Sequence, residues 1–164
     1  MAKKKTTAER GKFKNEIHAA LYKSKEIRNL LLGDTSGKSA VQIQKDFKNH
    51  VKSHLFIDDT VVDADTFIYY DVIMPRIHSN VKDCKVVMYL ITHRDIVDNT
   101  DDCPVDGYFG NRVDILSQMV EDALLDEEVI NNFGIGELTL DSISIYNATR
   151  FYGCIMEYSV PSFR

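Results

Sequence analysis

The chain has 164 residues, 44% hydrophobic and 27% charged, with a formal net charge of −5, the proportions of an ordinary globular domain long enough to bury its own core. No apolar run approaches the roughly 18 to 20 residues that cross a bilayer, which excludes a membrane helix. The basic start, Met1-Ala2-Lys3-Lys4-Lys5-Thr6, has no apolar segment behind it and does not read as a secretory signal.

Charge is unevenly placed. Residues 1–54 hold 13 Lys+Arg against 5 Asp+Glu, and residues 55–164 hold 7 against 20. A basic front of this kind can meet nucleic acid, an acidic partner or the acidic body of a neighbouring copy, beside its plainer use as a solvated helical face. Three cysteines, Cys84, Cys103 and Cys154, are widely spaced and form no CxxC pair. They are expected to be free thiols in a reducing compartment.

Residues 1–11 are polar and aperiodic and are expected to be a disordered basic tail. The remainder, 12–164, is expected to be a single α+β domain with a helical basic part, 12–55, and a sheet part, 56–164. Phe13, Ile17, Ala20, Ile27 and Leu31 recur at helical spacing with Ser24 on the same stripe, and Leu21, Leu30 and Leu32 widen it. Gly33 stops this helix, and Asp34-Thr35-Ser36-Gly37 is a loop. A second helix starts near Ser39, with Ile43, Phe47, Val51 and Leu55 as its apolar stripe and Lys45, Lys48 and Lys52 on its other face.

The character changes after residue 55. Residues 56–64 read as extended or turn, and 66–74 as an aromatic, β-branched strand that Pro75 should end. Residues 77–83 form a connector, and 84–92 a strand apolar on both faces, hence central in a sheet. A polar loop from His93 to Phe109 carries Asp95, Asp98, Asp101, Asp102 and Asp106. Loops of such length are usually functional or mobile. A third helix runs from Asn111 to Asp126 on Val113, Leu116, Val120 and Ala123, with Met119 and Leu124 beside them. Gly134 and Gly136 frame a turn. Two strands follow, Leu138 to Tyr146 and Thr149 to Val160, joined at Asn147-Ala148. On the second, Tyr152, Cys154, Met156, Tyr158 and Val160 share a face. The order α-α-β-β-α-β-β predicts a mostly antiparallel four-stranded sheet packed with helices.

Patterns that carry chemistry are weak throughout. There is no GxxxxGK[ST] and no GxGxxG; Gly134-Ile135-Gly136 precedes a strand rather than a helix and reads as a turn. His50 and His54 are four apart, but Val51 stands where a zincin has its Glu. The aspartates of the long loop lack EF-hand spacing and read as a solvated loop. Asp71, Asp83 and Lys85 loosely resemble the carboxylate set of metal-dependent nucleases, with Asp in place of Glu. No cysteine has a histidine partner, and no GxSxG occurs. The strand tyrosines are placed to stack bases, but the acidic sheet half repels phosphate, so packing is their better use. A non-enzymatic protein without metal or cofactor is expected.

The segment Asn132-Phe133-Gly134-Ile135-Gly136-Glu137-Leu138-Thr139-Leu140, then Ile143-Ser144-Ile145-Tyr146 and Tyr152-Gly153-Cys154-Ile155-Met156-Glu157-Tyr158, resembles the C-terminal hairpin of neck proteins of tailed bacteriophages, of the tail terminator or tail completion type. The Gly107-Tyr108-Phe109-Gly110-Asn111-Arg112 lead into the preceding helix is also similar. The likeness covers residues 60–160 and rests on element order and turn placement. It implies a structural virion protein, assembled in the host cytoplasm, that forms a ring, commonly a hexamer. The ring would terminate the tail tube and join it to the head connector, with genomic DNA passing through the lumen without specific binding. Its partners are then itself, the tail tube protein and the head connector protein, and no membrane. Lys45, Lys48 and Lys52 of one copy are expected to face Asp98, Asp101, Asp102 and Asp106 of the next. The alternatives are another head–tail connector, a stopper or adaptor, or a nucleic-acid-binding protein that uses the basic N-terminal helices.

Overall fold

The computed structural model describes residues 6–58, 60, 63–77, 82–101, 106–126 and 138–163. The N-terminal helical stretch is two helices, α1 (Thr6–Lys23) and α2 (Lys25–Leu32), which meet at Ser24. Ser24, expected inside one continuous helix, is instead the N-cap of α2, its hydroxyl accepting the Ile27 N–H. Serine competes for backbone donors and so favours a helix start over a helix interior. The apolar stripe survives the break, and Phe13, Ile17, Ala20, Leu21, Ile27, Leu30 and Leu31 are all buried. Helix α1 begins at Thr6, so residues 6–11, expected to be disordered, are helical; residues 1–5 lie outside the described residues. Gly33, at φ 66°, ends α2 and donates its N–H to the Asn29 carbonyl.

Helix α3 (Ala40–His50) starts as expected on Ser39, whose hydroxyl accepts the Gln42 N–H. It stops earlier than expected. Val51 and Lys52 leave the helix and form β1, which pairs parallel with Ile68 and Tyr69 of β2 (Thr66–Ile77). The sheet therefore has five strands and is mixed, where four mostly antiparallel strands were expected. Its order is β1-β2-β3-β5-β4, with β3 (Lys82–His93), β4 (Thr139–Asn147) and β5 (Phe151–Phe163) joined by antiparallel pairing. Four α-helices and this sheet form an α+β fold among the described residues.

Strand β3 lies between β2 and β5, as its two apolar faces implied. Pro75 does not end β2; the strand runs on to Ile77 through a register irregularity between Ile73 and Arg76. An irregularity is where a residue without an N–H is tolerated. Helix α4 (Arg112–Leu125) opens on a capping box. Asn111 accepts the Val113 and Asp114 N–H groups, and Asp114 returns the contact to the Asn111 N–H. Ahead of it, Arg94–Ile96 makes one short 3-10 turn inside the expected loop.

Alternation along the strands separates two cores. On one face Ile68, Tyr70, Val72, Val86, Met88, Leu90, Met156, Tyr158 and Val160 meet the four helices. Tyr152 and Cys154 pack beside them, as the β5 pattern predicted. The opposite face carries a smaller cluster of Phe67, Tyr69, Ile91 and Phe151. Leu55 and Ile57, from the chain after β1, lie against it.

Candidate assembly surfaces

The two edges of the sheet are finished differently. Beside β2, the short β1 and the helix α1 occupy the flank. The Arg10 guanidinium donates from Nε to the Val72 carbonyl at 2.6 Å and from a terminal nitrogen to Asp71 Oδ1 at 2.7 Å. Lys14 Nζ lies 2.6 Å from the same oxygen and also donates to the Ser53 carbonyl. The Tyr70 hydroxyl donates to the Lys14 carbonyl, tying strand to helix a second time. Burial pushes the Asp71 carboxyl up, but the Lys14 hydrogen bond, the Val72 N–H and the charges of Lys14 and Arg10 outweigh it and hold the pKa below its ordinary value.

Strand β4 has no strand beyond it among the described residues. Ile143 and Ile145 share the register of Met156 and Cys154, on the helix-bearing face, yet they are 57% and 73% exposed. Asp141 and the register irregularity between Leu140 and Ser142 guard the start of the strand, but residues 143–147 carry no charge, Pro or irregularity, the usual devices that keep an open edge from pairing.

A groove of about 430 Å³ lies between α1, the end of α3 and β1, lined by Asn15, His18, Lys48, Lys52, His54 and Tyr70 among others. The fold thus brings Lys48 and Lys52 together and adds His18, which the sequence reading did not single out. Lys45 is exposed on α3 but does not line the groove. Burial, reinforced by the Lys48 charge, holds the His18 imidazole below its ordinary pKa. Its ring packs edge-on against Phe47.

Asp98, Asp101 and Asp106 are exposed, and Asp102 lies outside the described residues. The start of this loop is pinned by the buried Arg112. Its backbone N–H donates to the Val97 carbonyl, and its side chain donates to Leu30 O at 2.7 Å, Thr66 Oγ1 at 2.8 Å and Asn99 O at 3.5 Å. One arginine therefore joins the end of α2, the start of β2 and the loop. Among the described residues, no ion pair engages Lys45, Lys48, Lys52, Asp98, Asp101 or Asp106, and none joins the two groups within one chain.

A sequence model of the YomW family matches residues 15–160, nearly the whole of this architecture. The chain belongs to the YomW family. That membership marks it as a phage-related protein, in line with the coarser part of the likeness drawn from its hairpin. No curated protein and no solved structure matches the chain.

In this YomW-family fold the weaker chemical patterns come apart. His50 closes α3 and His54 lies beyond it, so they do not share a helical face. His50 stacks on Phe67 and gives Nδ1 to the Thr66 carbonyl at 2.9 Å, while His54 meets Tyr69 edge-on. Asp71 is held by Arg10 and Lys14, and Asp83 lies near Arg76, three pairs further along the β2–β3 ladder. No group of three His, Cys, Asp or Glu suited to a metal occurs among the described residues. Burial pushes the Cys84 thiol up to about 11 and, with the Asp114 charge, the Cys154 thiol likewise to about 11, as for inert packing cysteines. Cys103 lies outside the described residues. No described helix is long and apolar enough to cross a membrane.

Proposed function

We propose that this YomW-family chain is a structural protein of a phage neck, which closes into a ring that terminates the tail tube and joins it to the head connector. The observation that carries this is the β4 edge, nine residues with two exposed isoleucines and no strand beyond them among the described residues. A monomer would leave such an edge open to uncontrolled pairing, whereas assembly covers it. The opposite flank, closed by β1, α1 and the Arg10 clamp, offers no matching edge. Two unlike flanks meeting head to tail give a heterologous contact, which closes into a ring when the rotation per copy divides a full turn. A hexamer is the size implied by the likeness to tail terminators. The acidic sheet half suits a lumen that lets genomic DNA slide, because negative walls do not hold a polyanion. The protein then belongs to the virion, having been assembled in the host cytoplasm.

A stopper or adaptor ring shares the β4 observation and differs in what it meets. Imaging purified protein mixed with isolated tail tubes separates the two. Caps at tube ends are expected for a terminator, and binding only to emptied heads would place the ring in the connector instead. Bare tubes and heads together with salt-dependent DNA binding would replace both readings with the nucleic-acid one.

A further inference from the structure

The ring reading names the sheet edge but not what the basic groove is for. We propose that the groove between α1 and the α3–β1 junction meets the exposed aspartates Asp98, Asp101 and Asp106 of the next copy, with Lys48 and Lys52 taking their carboxylates. This rests on the ring reading for the source of those aspartates.

The groove is an uncompensated positive site. Lys48 and Lys52 line it with the imidazoles of His18 and His54 and the amide of Asn15. Neither lysine is in an ion pair among the described residues. Asp71, the acid nearest in the chain to Tyr70 of the groove wall, is already held by Arg10 and Lys14. The complementary surface is exposed, and among the described residues Asp98, Asp101 and Asp106 are in no ion pair. Among the described residues the two are not paired with each other within one chain. Arg112 fixes the loop's start against α2 and the beginning of β2, whereas the groove belongs to α1, α3 and β1. The contact is therefore between copies, and because groove and segment are different surfaces it is heterologous, as a ring requires. Complementary charge on two such surfaces also fixes which flank meets which. Duplex DNA is the weaker occupant. The groove is small, and the chain's net charge of −5, with the excess of acid in residues 55–164, repels a polyanion at longer range.

The test is a charge swap in the full chain. Lys48→Glu/Lys52→Glu makes groove and segment both acidic, and Asp98→Lys/Asp101→Lys/Asp106→Lys makes both basic, because two of the five aspartates of 95–106 then remain against three lysines. Each variant alone is expected to stay monomeric by light scattering at concentrations where the parent assembles. An equimolar mixture is expected to assemble, because every contact in an alternating ring is again between opposite charges. Assembly of each variant alone, to the same extent as the parent, would overturn the groove contact and leave the ring reading standing. A second measurement does not depend on rings: titration of a synthetic peptide of residues 94–106 onto the parent chain and onto Lys48→Glu/Lys52→Glu. Binding to the parent, weakened at least tenfold in the variant, supports the groove even if the parent never forms rings, a result that would sink the ring reading alone. No binding of the peptide, or binding unchanged by the substitutions, overturns the proposal. So would capture of a duplex oligonucleotide by the same lysines without capture of the peptide.

Discussion

The two edges of one sheet have opposite fates in this molecule. At β2, helix α1 spends Arg10, Lys14 and the Lys14 carbonyl on the strand's own Asp71, Val72 and Tyr70. At β4, no strand among the described residues lies beyond it, and two isoleucines on its helix-bearing face are exposed. Side chains at the first edge act on the stability of a single chain. Those at the second act on what the chain joins. Substitutions sort by edge accordingly, and the largest effects belong to the sealed one.

Tyr70→Ala removes a fully buried ring and the hydroxyl that reaches α1. A loss of about 3–5 kcal/mol is expected from truncating a buried aromatic side chain, read from the midpoint of urea unfolding. A smaller loss would mean that α1 is not seated on β2. Between the edges, Gly153 of β5 sits where a Cβ would overlap the Leu90 carbonyl oxygen of β3. Gly153→Ala should cost about 1–3 kcal/mol as the two strands move apart. An unchanged midpoint would show that the β3–β5 ladder has slack.

Asp71→Asn tests the ion clamp with a smaller effect that depends on pH. The carboxyl is held below its ordinary pKa in the fold, so its contribution is fully present above the ordinary carboxylate range and is lost as pH falls through the lowered value. The variant should be less stable than the parent at neutral pH, and the two unfolding midpoints should converge in acid. A gap that persists below the carboxylate range would show that Asp71 acts by packing rather than by charge.

How much of this was legible in the sequence follows the range of the interactions. Ser39, Gly33 and Asn111 mark helix ends through bonds to residues two to four positions away, and such signals can be read locally. The alternation of β5 gave its buried face because strand geometry alone sets that period. Ser24 was misread because it lies on the apolar stripe, where periodicity outvoted its capping chemistry. Val51 fits the stripe of α3 equally well, and only its parallel pairing with Ile68, seventeen residues on, draws it out of the helix. Pro75 reads locally as a strand end, because the register irregularity that tolerates it arises only between two strands. Of the candidate site, Lys48 and Lys52 could be named as basic, but the groove they form with His18 is built by packing α1 against the end of α3. No spacing in the chain announces it. Family membership added the phage context.

The measurement that bears most directly on the β4 edge compares the parent with Ile143→Lys/Ile145→Lys by light scattering over a range of concentrations, with negative-stain imaging of any large species. Both residues are exposed, so the unfolding midpoint should move by no more than about 0.5 kcal/mol. The parent is expected to give closed rings, alone or on added tail tubes, and the variant to remain a folded monomer under the same conditions. Rings of the same size and stability from the variant, or a parent that stays monomeric with and without tubes, would contradict the account.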